Sequence, residues 1–355
     1  MMKGAQPRVG IACSQSAANH YFRLPDRERL AEFADVTMME LDVGGDPWGR
    51  PPEAPEIECL LSEFVQNLDV LIVSRGAPRV TTEVIASAPS LRVVGDIEGD
   101  RFSKRIDAVA AREAGLIVID TSHASSWPVA EWALALMLFG LRRQGSLRPI
   151  MEGREVVMST YRADPPGREL TSRSVGFIGF GHIAWRLREL LMAFHTPITV
   201  YDPYVPREFA DALDVDFATL ADVMRSDVVV CMVPETPETT GMIGRKELAL
   251  LRRDAVFINV ARGVVVDTEA LIERANCADA WFGLDTVDPE PIPLNSPLRT
   301  MSNVMVTPHI AGLTVEAQPR FFALMVDELH RWTNQVEPRA QITDRVLAGR
   351  SLGKS

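Results

Sequence analysis

The stretch SVGFIGFGHIA at residues 174–184 decides the fold more than any other part of this chain. An apolar run leads into two glycines, Gly179 and Gly181, and the small residue Ala184 follows before an amphipathic segment. In a strand–turn–helix the first glycine makes the turn, the second lets a pyrophosphate approach the backbone, and the third small residue lets helix and strand pack closely. The pattern predicts a dinucleotide-binding turn, with a purely structural tight turn as the alternative interpretation.

An acidic residue downstream favours the first interpretation. The predicted strand PITVYD at 197–202 ends in Asp202, 21 residues after Gly181. That spacing is close to the one expected of an acid that binds the adenosine ribose. A carboxylate there would accept hydrogen bonds from both ribose hydroxyls and repel a 2′-phosphate, so NAD is favoured over NADP. The alternative for Asp202 is a turn residue before Pro203.

Short apolar runs alternate with helix-length segments on both sides of this turn, which is typical of βαβ units and a parallel sheet covered by helices. We therefore expect an α/β protein with two doubly wound parallel sheets. The predicted strands fall into two series, at 8–12, 36–41, 70–74, 91–95 and 116–120, and at 174–179, 197–202, 227–233, 255–260, 281–286 and 303–308.

Composition and charge narrow the class of protein. The chain has 355 residues, 46% hydrophobic and 24% charged, which is typical of a globular protein of two domains. A net charge of -11 argues against a nucleic-acid partner. The four cysteines show no metal-like spacing, so no metal site is predicted. Since neither a signal peptide nor a long uncharged apolar run is evident, we expect a cytoplasmic protein without a membrane partner.

Four polar residues follow strands of the second series. Arg262 lies in NVARG, Asp285 closes the next strand, Glu290 lies in DPEP, and His309 lies in PHIAG. Ligands of doubly wound sheets lie outside the carboxyl ends of strands, so these residues can converge. Arg262 could bind a carboxylate or keto oxygen, His309 is a general acid/base, and Glu290 could hold the histidine in its charged form. Singly, each could be an ordinary surface residue.

The chain resembles the D-isomer-specific 2-hydroxyacid dehydrogenase family. The resemblance runs from about Val70 to Ile310 and rests on five segments in family order: GRELTSRSVGFIGFGHIA, MVPETPETTGMI, LRRDAVFINVARGVVVD, GLDTVDPEPIP and NVMVTPHIAG. It implies a Rossmann cofactor domain at 122–309 inserted into a flavodoxin-like substrate domain made of 1–121 and 310–355, with the active site in the cleft. It also implies a homodimer formed through the helix containing VAEWALALMLFGLRR.

The resemblance implies that the protein interconverts a D-2-hydroxy acid and its 2-keto acid by hydride transfer with NAD. His309 matches the general acid/base, Glu290 the residue that tunes it, and Arg262 the residue that binds and polarises the substrate. Asp285 matches the acid that contacts the nicotinamide carboxamide. The matched cofactor-binding positions are Gly179, Gly181, His182, Ile183, Asp202, Val233, Pro234, Val260, Ala261, Asp285 and Gly312. Backbone N–H groups of Ser74, Arg75, Gly76 and Ala77 match the loop that binds the substrate carboxylate.

One loop departs from the family pattern. Where relatives have a GxGxD turn after the fourth strand, this chain has GDIEGDRFSKR at 95–105. Glu98 could bind a substrate hydroxyl or amine, and Arg101, Lys104 or Arg105 could bind a second acid group. A solvated charged loop is the alternative.

A second function from another class is an NAD-sensing interaction protein, because the transcriptional corepressors of this family keep the same triad. Turnover of a keto acid without a partner protein would discriminate between the two. Formate dehydrogenase is disfavoured, since those relatives carry glutamine where this chain has Glu290.

Overall fold

The computed structural model describes residues 6–45, 50–97, 102–142 and 167–343. The chain divides into two compact units. Unit 1 takes in the described residues up to Ser125 and from Thr314 onward, and unit 2 takes in those from Ser126 to Leu313. The predicted domain boundaries, after residues 121 and 309, lie four residues before these two divisions.

Unit 1 contains a five-stranded parallel sheet with the order β2-β1-β3-β4-β5. This is the flavodoxin-like order of a doubly wound sheet. The inner strands β3 and β4 are buried along their whole length, because helices cover both faces of such a sheet. The strands are β1 (Arg8–Cys13), β2 (Asp35–Glu40), β3 (Val70–Val73), β4 (Val93–Asp96) and β5 (Ile117–Asp120).

The helices of unit 1 follow the strands as the alternating pattern predicts. Several begin at side-chain caps: Ser14, Thr81 and Asp107 each accept a backbone N–H from the first turn, which satisfies a donor that the helix itself leaves unpaired. The helices in this part are α1 (Gln15–Tyr21), α2 (Leu24–Ala31), α3 (Pro55–Phe64), α4 (Thr82–Ala86), α5 (Phe102–Arg105) and α6 (Ala108–Glu113).

Unit 2 contains a seven-stranded parallel sheet with the order β12-β11-β10-β9-β6-β7-β8. Counted from β6, this is the Rossmann order 3-2-1-4-5-6 with one further strand. The predicted fold class is therefore confirmed. Strand β8 was not predicted, because two residues are too few to show a period. The strands are β6 (Val175–Ile178), β7 (Ile198–Tyr201), β8 (Asp216–Phe217), β9 (Val228–Cys231), β10 (Val256–Asn259), β11 (Trp281–Leu284) and β12 (Val304–Val306).

The helices of unit 2 include one long apolar helix, Ser126–Leu141. The segment Ser122–Leu141 has the length and hydropathy of a membrane span, but 56% of its apolar window is buried in the protein. A Cβ atom added at Gly140 of this helix would stand 2.5 Å from the ring of Trp281 in β11. The helix therefore packs closely on the sheet. The helices are α7 (Ser126–Leu141), α8 (His182–Leu191), α9 (Phe209–Leu213), α10 (Leu220–Val223), α11 (Arg245–Leu248) and α12 (Thr268–Asn276).

The chain returns to unit 1 through α13 (Ala317–Thr333). Phe322, Met325 and Leu329 of this helix are buried in the same core as Ile11 of β1. Their spacing places them on one face of an α-helix. The Phe322 ring meets Phe22 edge to face, with centroids 4.4 Å apart, so the returning segment completes a face of the first sheet.

Candidate active site

The turn after β6 has the geometry that a pyrophosphate requires. Gly179 has a φ of +90°, and a Cβ atom there would stand 2.9 Å from Cγ1 of Val233, which follows β9. Only glycine fits both conditions. Gly181 is the residue before α8, and no atom of the described part of the chain lies within 4 Å of the position its Cβ would take. This open space lies at the N-terminus of a ten-residue helix, where backbone N–H groups and the helix dipole favour an anion.

Asp202 links the end of β7 to this turn. Its Oδ2 accepts the N–H of Phe180 at 2.8 Å, and its Oδ1 accepts those of Tyr204 at 2.8 Å and Val205 at 3.1 Å. A carboxylate has about four acceptor positions, so the side chain keeps room for a donor such as a ribose hydroxyl. Asp202 therefore stabilises the two turns by accepting their backbone N–H groups, and it can still accept a hydrogen bond from a nucleotide ribose.

The remaining matched cofactor positions lie at the same edge of the sheet. Val233 and Pro234 follow β9, Val260 and Ala261 follow β10, and His182 and Ile183 form the first turn of α8. Gly312 follows the segment after β12. In a parallel sheet the carboxyl ends of neighbouring strands meet at one edge, which is where the structure places all of these residues.

Adjacent strands carry the polar residues of the second unit. Asn259 of β10 is in register with Leu284 of β11, and Leu284 with Val306 of β12. The segments that hold Arg262, Asp285 and His309 therefore leave the sheet side by side. The Arg262 segment also touches the one leading to Glu290, since a Cβ atom on Gly263 would stand 2.1 Å from Val287 backbone atoms.

Asn259 is a site residue that the sequence reasoning missed. Its side chain is 1% exposed, donates to the carbonyl of Arg262 at 3.0 Å, and accepts the N–H of Ala261 at 3.1 Å. Both bonds hold the backbone that presents Arg262. A buried amide at a strand end needs such partners, and that requirement is the signal in the sequence that could have identified it.

His309 and Glu290 form a hydrogen-bonded pair. The Nδ1 of His309 lies 2.9 Å from Glu290 Oε1, and the two side chains are 23% and 40% exposed. When Nδ1–H donates to the carboxylate, the other ring nitrogen, Nε2, is the one suited to exchange a proton with a substrate. The pair has the geometry of a general acid/base and the residue that orients it.

Asp285 lies beneath the His309 segment rather than at the surface. Its side chain is 1% exposed. Oδ1 accepts the Thr307 hydroxyl at 2.5 Å and the N–H of Ile310 at 3.0 Å, and Oδ2 accepts the N–H of Ala311 at 3.0 Å. The family resemblance implies that Asp285 contacts the nicotinamide. The geometry shows that Asp285 also holds the backbone segment that carries His309.

The substrate loop belongs to unit 1 and follows β3. Within it, the N–H of Ser74 donates to Ala12 at 3.1 Å, and the N–H of Ala77 donates to Ser74 at 3.1 Å. Two of the four matched amides are therefore used inside the unit. Gly76 has a φ of +90°, a conformation that favours glycine.

The structure of the charged segment after β4 contradicts one prediction, which concerns Arg105. Asp96 is fully buried, Arg105 is 4% exposed, and Arg105 Nη1 lies 3.0 Å from Asp96 Oδ2. The interpretation of Arg105 as a substrate-binding cation is therefore wrong, because a buried carboxylate at this strand end takes the guanidinium as its ion-pair partner. Lys104 is half-buried in α5, and Glu98 and Arg101 lie outside the described residues.

The fold and the site together define a dinucleotide-binding α/β protein whose nucleotide unit carries a hydrogen-bonded histidine–glutamate pair. Residues 134–311 match the family model described as "D-isomer specific 2-hydroxyacid dehydrogenase, NAD binding domain". The chain belongs to the D-isomer specific 2-hydroxyacid dehydrogenase family.

Similar proteins agree with this assignment. The chain is 33% identical over 274 residues to a D-3-phosphoglycerate dehydrogenase of Methanocaldococcus jannaschii, covering 76% of this chain and 51% of that protein. It therefore spans about half the length of that relative. It is 31% identical to a hydroxypyruvate reductase of Thermotoga maritima, covering 76% and 87%. The crystal structure of D-mandelate dehydrogenase from Rhodotorula graminis has the same fold, with a TM-score of 0.80, 19% identity and 96% and 98% coverage.

Proposed function

We propose that the protein is an NAD-dependent enzyme that interconverts a D-2-hydroxy acid and its 2-keto acid. The observation that carries the proposal is the pairing of His309 with Glu290 at 2.9 Å, in the unit that matches the NAD binding domain. Relatives named as dehydrogenases and reductases of such acids support the reaction class.

The residues after β6 and β7 fit the cofactor. The open space at Gly181 would take the pyrophosphate at the N-terminus of α8, and Asp202 would accept a ribose hydroxyl. The buried residues Val260 and Ala261 would line the nicotinamide side. When bound, NAD supplies the acceptor of the hydride in oxidation and its donor in reduction.

The residues of the chain supply the proton and the charges. In oxidation, Nε2 of His309 takes the proton of the substrate hydroxyl while the C2 hydride leaves; in reduction it returns the proton to the keto oxygen. Glu290 stabilises the imidazolium that forms. The guanidinium of Arg262 binds the carboxylate or keto oxygen and polarises the carbonyl. In unit 1, the loop made of Ser74, Arg75, Gly76 and Ala77 binds the substrate carboxylate, as the family resemblance implies.

A panel of keto acids tests the proposal. Glyoxylate, hydroxypyruvate, pyruvate and phenylpyruvate are assayed with NADH for wild type, His309→Ala and, as a control, His20→Ala, which changes an exposed histidine of α1. We expect His309→Ala to lower kcat by about 10² to 10⁴-fold with nearly unchanged NADH affinity, and His20→Ala to behave as wild type.

The outcomes separate the alternatives. A rate retained in His309→Ala would show that the acid/base assignment is wrong. Wild-type protein that neither binds NADH nor reduces a member of the panel would contradict the proposal. NADH binding without turnover would favour the NAD-sensing interaction protein.

We also propose that the protein is a cytoplasmic homodimer without nucleic-acid or membrane partners. Support for a dimer comes from α7, whose Trp127 and Phe139 are 37% and 41% exposed. Exposed aromatic residues on a core helix are typical of a protein interface. Sedimentation velocity on wild type and a Phe139→Lys variant measures the assembly, and a monomeric wild type would contradict this part of the proposal.

A further inference from the structure

We propose that Trp132 and Thr307 are positioning residues for His309, which act through the carboxylate of Asp285. The inference rests on the proposed role of His309 as acid/base. All four residues belong to unit 2. The indole Nε1 of Trp132 donates to Thr307 Oγ1 at 3.3 Å, and Thr307 Oγ1 lies 2.5 Å from Asp285 Oδ1.

The chemistry of these groups fixes the direction of each hydrogen bond. An indole N–H is only a donor, whereas a threonine hydroxyl has one proton and two lone pairs. Thr307 Oγ1 accepts the indole N–H of Trp132 with one lone pair. Its own proton is donated to Asp285, because a carboxylate accepts hydrogen bonds. Bonds to a charged acceptor are the stronger class. Trp132 thus orients the Thr307 hydroxyl that donates a hydrogen bond to Asp285.

Asp285 in turn holds the backbone just after His309. Its two carboxylate oxygens accept the N–H groups of Ile310 and Ala311, each at 3.0 Å, and its side chain is 1% exposed. Its carbonyl accepts the N–H of His309 itself at 2.9 Å. The same aspartate therefore binds three consecutive residues of the segment that presents the imidazole.

His309 requires this support because of its backbone conformation. Its φ is +54°, in the left-handed region that non-glycine residues adopt only where the surroundings hold them. In this conformation the ring reaches Glu290 at 2.9 Å. Without the Thr307 hydroxyl, Oδ1 of Asp285 loses its closest partner, and without the indole donor that hydroxyl loses the contact that orients it. In either case the segment can shift the ring away from Glu290.

Kinetics test the inference with matched variants. Trp132→Phe keeps the ring and removes the N–H, Thr307→Val removes the hydroxyl at similar volume, and Thr307→Ser restores it. Trp281→Phe is the control, since Trp281 is buried in the same unit and its Nε1 has no hydrogen-bond partner among the residues that the structure describes. We expect Trp132→Phe and Thr307→Val to lower kcat about 10- to 100-fold, with NADH Kd changed by a smaller factor. Thr307→Ser and Trp281→Phe should stay near wild type.

A spectroscopic measurement tests the same inference without turnover. The imidazole Nδ1–H proton of ¹⁵N-histidine-labelled protein is visible by NMR when a hydrogen bond protects it from exchange, and His309→Gln assigns the signal of His309. We expect this signal in wild type, Thr307→Ser and Trp281→Phe, and its loss or broadening in Trp132→Phe and Thr307→Val.

Each outcome decides one question. If Trp132→Phe and Thr307→Val retain both kcat and the signal, or if Trp281→Phe loses them to the same extent, the inference is overturned. If Thr307→Ser does not restore them, the hydroxyl is not the group that acts. If wild type turns over no member of the panel, the proposed function fails while the NMR signal still tests the positioning of His309.

Discussion

The replacement Gly263→Ala tests the contact between the segments that carry the proposed catalytic residues Arg262 and Glu290. Gly263 follows Arg262, and its added Cβ would stand 2.1 Å from the carbonyl atoms of Val287 and 2.6 Å from the N of Asp288. Ordinary contact begins at 3.4 Å, so one backbone segment must retreat by about 1.3 Å. Backbone cannot rotate away as a flexible side chain can. We expect overpacking to lower the free energy of unfolding by about 1–3 kcal/mol.

The same shift should impair turnover. It separates the backbone before Glu290 from the backbone after Arg262, and a misplacement of about 1 Å costs roughly 10²-fold in rate. Urea denaturation followed by tryptophan fluorescence and steady-state kinetics with the best keto acid measure the two effects. Gly244→Ala is the control, since the nearest atom to its Cβ is 3.5 Å away. A Gly263→Ala protein with wild-type stability and kcat/KM would refute the reasoning. Lost stability with an unchanged rate would show that the contact does not set the spacing of Arg262 and Glu290.

Three further changes test other parts of the structure. Asp202→Ala should raise the Kd for NADH by about tenfold or more in a fluorescence titration, because it removes the proposed ribose acceptor and leaves three backbone N–H donors without their carboxylate partner. Arg105→Met should lower the free energy of unfolding by about 3–5 kcal/mol, since it removes the ion-pair partner of the fully buried Asp96; a loss under 1 kcal/mol in denaturation would contradict the buried pair. Burial raises the pKa of the Cys231 thiol from 9.0 to about 12, so its contribution to stability is complete below pH 9 and is lost as pH rises toward 12. Denaturation of wild type and Cys231→Ala across that window should show a steeper loss in wild type, with Cys277→Ala, which changes an exposed thiol, as the control.

The strands and the nucleotide turn were predictable because each depends on local sequence. Buried parallel strands read as continuous apolar runs, and β3 and β9, with sequences VLIV and VVVC, are examples. The conformation of Gly179 is likewise a local requirement. Strand β8 was not predicted, because two residues cannot display a period and because its formation depends on pairing with β7.

The residues of the proposed catalytic pair could be identified by residue type, but their geometry could not. His309 and Glu290 are 19 residues apart in the chain, so their hydrogen bond depends on how β11 and β12 leave the sheet. The role of Asn259 also needed the structure, because its partners are backbone atoms of the turn that it supports. A strand-end asparagine in the sequence has many such uses.

By itself, the sequence determined that this chain builds two doubly wound α/β units and that the second carries a dinucleotide turn. These properties follow from the spacing of glycines and the alternation of strands and helices, which act over a few residues. The tertiary structure decided the partners of the buried charges. Asp285 binds the segment of His309, and Asp96 binds Arg105. A buried carboxylate takes the donors that the fold brings within about 3 Å, and those donors come from neighbouring strands that no local pattern identifies.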